Sequence, residues 1–285
     1  MSAYILTFDI EDWWIYEHYQ IGSKLNWLPR LDNYLARILD LLDIREIKAT
    51  FFVLGEVAKN NPEVVKRIDA RGHHIGCHSY SHTFWRNAKP DEVVKDTKIA
   101  LDVIENCIGR KVNAYRAPAF SITEQNKWIL SILADNGIEY DCSIFPATRS
   151  YGGFPTYSTK EPAIIEIDGY QIKEFPMAPV TILGHEIVYS GGGYFRLFPY
   201  WKIKSLVEKS DYVMTYFHIK DFDKHQKRFY SSFESESALL RYVKNYCGLS
   251  GNFGKFSKFI FEFDFISLEQ ANALIDWRQL PIIRL

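Results

Sequence analysis

The sequence predicts an α/β fold, either a parallel barrel or a doubly wound sheet, on two observations. Short β-type runs alternate with amphipathic helical runs along most of the 285 residues, the pattern of repeated strand–helix units. Asp9, His78, Arg116 and His218 each close an apolar, strand-like run. In both folds chemistry gathers at the carboxyl ends of strands, and four such ends sharing one site favour the barrel.

Taken in order, Ala3 to Phe8 reads as a strand entering a core. Leu31, Tyr34, Leu35, Ile38, Leu41 and Leu42 recur at helical spacing, so residues 31–42 read as a helix. Ala49 to Leu54 is a compact apolar strand ended by Gly55. Pro62 to Ala70 reads as a helix with Asn61 as N-cap, Pro62 at its first position and Gly72 closing it. His74 to Cys77 is a short strand. Asp91 to Ile108 is a helix with Val93, Val94, Thr97, Ala100, Leu101 and Ile104 on one side, terminated by Gly109. Val112 to Tyr115 is a strand, Thr123 begins a helix that ends near Asn136-Gly137, and Ile138 to Cys142 is a strand. Residues 147–200 are less regular, broken by prolines, Gly152-Gly153 and Gly191-Gly192-Gly193, with a strand-like piece at Ile164 to Ile167. Beyond them come a helix from Pro199 to Lys209, a strongly apolar strand from Tyr212 to Ile219, a helix from Ser235 to Tyr246, a strand from Phe259 to Phe265, and a final helix capped by Ser267. No repeat or linker divides the chain, so residues 1–285 are expected to form one domain.

Composition narrows the function classes. With 34 basic and 35 acidic residues and a net charge of -1, no general basic field is available to hold nucleic acid. The 18 Tyr, 20 Phe and 7 Trp belong mostly to the core, although ring faces can also stack on sugars. Cys77, Cys107, Cys142 and Cys247 form no CxxC pair and read as reduced thiols of a cytoplasmic protein. The opening apolar run is too short for a signal-peptide core and lacks a basic flank, and no stretch has the uninterrupted apolar length of a membrane span.

The candidate chemistry lies in four places. Asp9-Ile10-Glu11-Asp12 sets three carboxylates within four residues, whose mutual repulsion a divalent metal would offset. His78-Ser79-Tyr80-Ser81-His82 spaces two imidazoles so that both can face one ion. Two neutral imidazoles and one carboxylate would leave coordination positions open for water. Arg116, stiffened by Pro118, can grip a carboxylate by its two-pronged guanidinium. His218, closing a buried strand, becomes a candidate general acid if it stands near a metal.

Together these segments resemble the polysaccharide deacetylases with the NodB-homology domain. In the family's order, Thr7-Phe8-Asp9-Ile10-Glu11-Asp12 is similar to its first motif and Ala49-Thr50-Phe51-Phe52-Val53-Leu54-Gly55 to its second strand. Gly72 to His82 is similar to its metal motif, Arg116-Ala117-Pro118 to its third, and Phe217-His218 to its last. Tyr140 to Pro146 and Ser190 to Tyr200 look like the deacetylases found with bacterial exopolysaccharide and surface-glycan genes. The resemblance implies a distorted, TIM-like (β/α) barrel of about seven parallel strands. It implies a divalent metal, Zn2+ foremost with Co2+, Ni2+ or Mn2+ as alternatives, held by His78, His82 and one acidic side chain. Asp9 would be the general base, His218 the general acid, and Arg116 would orient Asp9, with the Ala119 N–H as an oxyanion donor. The implied substrate is an N-acetylated glycan or glycan precursor, and the implied reaction is hydrolysis of its amide.

Two departures from the family pattern stand out. Ile10 occupies the usual third-ligand position, so Asp12 is taken as the ligand for its short reach, with Glu11 as the rival. Phe120 stands where the common motif has glycine, at a loop expected to cover the acyl group. Trp13, Trp14, Tyr194 and Arg196 are candidates for shaping a sugar groove, and His225 reads as a surface residue. A non-sugar amide as substrate, or glycan binding without catalysis, are the alternative functions.

Overall fold

The computed structural model describes residues 3–11, 29–149, 151–226, 228–230, 232 and 237–285. The strands are β1 (Ala3–Ile5), β2 (Thr7–Ile10), β3 (Thr50–Val53), β4 (His74–Cys77), β5 (Ala114–Tyr115), β6 (Tyr140–Asp141), β7 (Ala163–Ile167), β8 (Tyr170–Glu174), β9 (Val180–Ile182), β10 (His185–Ile187), β11 (Tyr212–Met214), β12 (Phe217–His218) and β13 (Ile282–Arg284). The α-helices are α1 (Pro29–Ile44), α2 (Gly55–Asn60), α3 (Pro62–Ala70), α4 (Pro90–Ile108), α5 (Ile129–Asp135), α6 (Gly192–Leu197), α7 (Tyr200–Val207), α8 (Ala238–Tyr246), α9 (Leu249–Glu262) and α10 (Leu268–Leu274).

The main sheet runs β12-β2-β3-β4-β5-β6-β8-β7-β13, and every pairing from β12 to β8 is parallel. Seven parallel strands flanked by helices make the distorted (β/α) barrel that the family resemblance implied. β1 pairs in parallel with β11, so the strands leading into β2 and β12 are neighbours as well. Parallel strands covered on both sides carry near-continuous apolar residues. Accordingly β3, Thr-Phe-Phe-Val, is buried at all four positions, and Phe8 stacks on Phe51 at 4.8 Å.

Local signals set several boundaries. Pro62–Ala70 and His74–Cys77 fall where the sequence puts them. Gly109 adopts a left-handed conformation (φ 71°) at the end of α4, where its N–H bonds the Glu105 carbonyl. Ser267 accepts a hydrogen bond from the Gln270 N–H and caps α10. Asn61 precedes α3 but its side chain makes no cap bond. All four cysteines are free thiols. Among the described residues no helix is long and apolar enough to cross a membrane.

Three expectations are corrected. Of the strand expected from Phe259 to Phe265, Phe259 to Glu262 are the end of α9 instead, and no strand follows at 263–265. Leu249, Asn252, Phe256, Phe259 and Ile260 are its buried side chains, spaced i, i+3, i+7, i+10 and i+11, and that helical stripe outweighs the β propensity of the aromatics. The helix expected from Thr123 is a 3-10 turn at Glu124–Asn126 followed by α5. Residues 147–200 hold two antiparallel hairpins, β7–β8 across Asp168-Gly169 and β9–β10 across Leu183-Gly184. Both turn residues have positive φ in each case, the conformation whose twist matches paired strands.

Candidate metal and catalytic centre

The sheet brings the four chemical segments together at strand ends. His218 of β12 lies directly beside Asp9 of β2 in the parallel register. Beyond β4, the His78 N–H bonds the Val53 carbonyl at 2.9 Å; beyond β5, the Arg116 N–H bonds the Cys77 carbonyl at 2.9 Å. Strand pairing alone therefore sets Asp9, His78, Arg116 and His218 around one rim. They line a cavity of about 280 Å3 together with Glu11 and His82.

Asp9 and Arg116 form a buried pair. Arg116 has no exposed surface, and its Nη1 donates to Asp9 Oδ1 and to Thr7 Oγ1, both at 2.8 Å. Its guanidinium lies 4.3 Å from the Phe52 ring centre, so packing as well as charge holds it in place. Asp9 Oδ2 remains toward His218 Nε2, 3.8 Å away.

Glu11, His78 and His82 form a second group, with one ligand atom from each lying within 4.8 Å of the others. Glu11 Oε2 is 2.8 Å from His82 Nε2 and 3.8 Å from His78 Nε2, and among the described residues it accepts no hydrogen bond. His78 Nδ1 lies 2.7 Å from the Arg116 carbonyl oxygen, which can only accept. That contact puts the proton on Nδ1 and leaves the Nε2 lone pair facing Glu11. The His78–His82 turn is unusual backbone, with Ser79 and His82 at φ 66° and 59°. Asp96 on α4 holds the turn, accepting from the Tyr80 N–H at 2.7 Å and from the Ser81 hydroxyl at 3.0 Å, while Ser79 Oγ accepts from the His82 N–H. Burial opposes ionisation of Glu11, but Lys220, His218 and His82 outweigh it and hold its carboxyl well below the usual range. Lys220 Nζ donates to Glu11 Oε1 at 3.0 Å.

His218 is steered by its own turn. Its backbone N–H and its Nδ1 both face Asp221 Oδ2, at 2.9 and 3.3 Å. Arg196 of α6 pairs with the other oxygen of Asp221 and with the Lys244 and Cys247 carbonyls. Burial lowers the pKa of His218, but Glu11 and Asp221 exceed that effect and raise it above the ordinary value. Asp221 in turn is held far below the carboxylate range, because Arg196 and His218 outweigh its burial.

Of the candidates read from sequence, Asp9, His78, His82, Arg116 and His218 meet in the cavity, and Ala119, Phe120, Tyr194 and Arg196 line it. Asp12, the favoured third ligand, lies outside the described residues, as do Trp13 and Trp14; Glu11, its rival, is the carboxylate beside both imidazoles. His225 is exposed. Sequence reasoning missed Asp221, Lys220 and Asp96. The spacing His218-x-x-Asp221, a polar residue capping its own turn, was the one available signal.

Residues 3–140 match the family model described as Polysaccharide deacetylase, and residues 142–273 match one described as Domain of unknown function (DUF3473). Two peptidoglycan-N-acetylglucosamine deacetylases of Bacillus cereus are 32% identical over 124 residues and 38% identical over 97 residues. Those matches cover 43% and 34% of this chain and 45% and 35% of the relatives, so the chain spans less than half the length of either. A crystal structure described as a polysaccharide deacetylase from Mycobacterium smegmatis superposes over 100% of this chain and 93% of its own, with a TM-score of 0.65. At 16% identity that likeness is one of fold.

Proposed function

We propose that this chain, whose residues 3–140 match the polysaccharide deacetylase family model, is a metal-dependent hydrolase that removes N-acetyl groups from an amino sugar of a glycan or glycan precursor. The observation that carries the reading is the convergence of a buried acid–base pair, Asp9 and His218, with a Glu–His–His cluster in one cavity. Mere binding of a sugar calls for neither. A single domain over residues 1–285 is part of this reading, since the main sheet interleaves strands from both matched segments. The resemblance of residues 140–146 and 190–200 to surface-glycan deacetylases favours a surface-glycan substrate, whereas the named relatives act on peptidoglycan.

The Glu11, His78 and His82 side chains fit a divalent cation such as Zn2+. They offer two nitrogens and one oxygen, all buried, and Glu11 Oε2 lies 2.8 Å from a ring nitrogen without the geometry of a hydrogen bond. A cation held there supplies Lewis acidity, polarising an amide carbonyl and making water more acidic. Asp9, its Oδ1 fixed by Arg116, takes the proton of the attacking water on Oδ2. His218, with Nδ1 held by Asp221, delivers the Nε2 proton to the departing amine. The Ala119 N–H, in the loop lining the cavity, donates to the developing oxyanion.

Acetate release from N-acetylated oligosaccharides, with metal content measured on the same preparations, tests the proposal. Wild type is expected to carry one divalent ion and to lose turnover when stripped. Glu11→Ala should lose the ion, whereas Asp12→Ala should keep it. Turnover that survives metal removal would sink the metal-dependent mechanism, and the reverse result for the two variants would return the ligand role to Asp12.

A further inference from the structure

Six basic and three acidic side chains face the cavity. Arg116, Arg149, Arg196, Lys220, Arg241 and Lys244 line it, against Asp9, Glu11 and Asp221. Each acid has its own cation: Arg116 for Asp9, Lys220 for Glu11 and Arg196 for Asp221.

Arg149 stands apart. Among the described residues no carboxylate pairs with it. Its guanidinium lies 4.5 Å from the Phe145 ring centre and 5.7 Å from that of Phe120, and it stands on the same side of the cavity as the Tyr216 ring. Two rings thus flank an exposed guanidinium at the cavity wall, with donors to spare. The Tyr216 ring meets that of His218 edge-on at 6.1 Å, so Arg149 is one side chain away from the proposed acid. The glycine run keeps this wall close: a Cβ on Gly191 would lie 1.8 Å from the Tyr216 carbonyl oxygen, and one on Gly193 would lie 2.7 Å from the Lys244 carbonyl oxygen.

We propose that Arg149 is a specificity residue that binds an anionic group, a carboxylate or a phosphate, carried by the substrate beside the reacting N-acetyl sugar. The inference deepens the deacetylase reading and rests on it for the identity of the sugar. A planar fork anchored on rings is suited to two-pronged contact with either oxyanion. The carboxylate source would be a uronic acid or acid-bearing sugar of a glycan; the phosphate source would be a glycosyl diphosphate.

The test uses the full chain supplied with Zn2+ and three probes: chitotetraose, which is neutral, a hyaluronan tetrasaccharide, which carries carboxylates, and UDP-N-acetylglucosamine, which carries a diphosphate. At least one anionic probe should release acetate with a kcat/KM well above that of chitotetraose, and which one does so distinguishes the sources. Arg149→Gln should shrink that anionic-to-neutral ratio at least tenfold through KM, with Arg149→Lys intermediate. Equal kcat/KM for neutral and anionic probes, or a ratio unmoved in Arg149→Gln, overturns the anion site and leaves the deacetylase reading intact. Should no probe release acetate, calorimetric binding decides: an anionic probe bound by wild type and lost in Arg149→Gln supports the anion site while the deacetylase reading fails. Absence of binding by both anionic probes overturns the site.

Discussion

At the residue scale the centre is a set of matched charges withdrawn from water. Arg116 and Arg196 are almost fully buried, each against one carboxylate, and both are also held by neutral partners. Burying a charge is costly unless its partner stays, so removing one side of such a pair leaves the other stranded. Asp221→Asn should therefore lower stability by about 3 kcal/mol. It should also lower kcat more than it raises KM, because His218 Nδ1 loses the acceptor that orients its ring. Urea unfolding and steady-state kinetics on the same preparation check both. Asp9, His78, Arg116 and His218 were readable from sequence because each is a chemical residue type at the end of an apolar run, and His82 because of its spacing from His78. Asp221 and Lys220 were not, since their roles depend on a turn and on the pairing of β12 with β2, which brings Lys220 to Glu11.

Among the secondary-structure elements, α9 is the clearest case of packing overriding local preference. Phe256 meets Phe8, Phe217 and Phe222 at ring-centre distances of 5.9, 5.3 and 4.9 Å, tying the helix to the strands that carry Asp9 and His218. Phe256→Ala should cost about 3–5 kcal/mol, read from the denaturation midpoint, and should depress turnover through β2 and β12. An unchanged midpoint would show that α9 does not brace those strands. The helix was misread because a run of phenylalanines fits a strand as well as a buried helical stripe over so short a window. The β7–β8 hairpin was missed for a different reason. Asp168-Gly169 is a strong turn signal, but its flanking residues alternate weakly, with Tyr170 and Gln171 exposed.

Across the whole molecule, the two ends of the parallel strands serve different purposes. The site lies at the carboxyl ends, whereas His73 and His74 sit buried at the start of β4. The Ala49 N–H donates to His73 Nδ1, a bond that only the neutral ring accepts, and burial pushes the His73 pKa from 6.5 down to about 4. A histidine depressed in the folded state favours folding fully above the unfolded value, and that contribution is lost as pH falls from 6.5 toward 4. The difference corresponds to about 3 kcal/mol at the acid end. Chemical unfolding at pH 7 and pH 4.5 should accordingly show a smaller loss in His73→Asn, whose side-chain oxygen can still accept from Ala49, than in wild type. An equal loss in both would show that His73 is not protonated on unfolding.

Most of the strand–helix order up to Cys142, the parallel arrangement of the strands that carry the site and the chemical types at their ends were legible in the sequence, because local periodicity and residue chemistry do not depend on distant contacts. What only the tertiary structure decided is which groups face one another across the barrel. It put Glu11 against both imidazoles, paired Asp221 with Arg196, and set Arg149 on its rings. Those outcomes depend on strand register, on left-handed turns such as the one at His82, and on close packing at Gly191, none of which a linear pattern encodes.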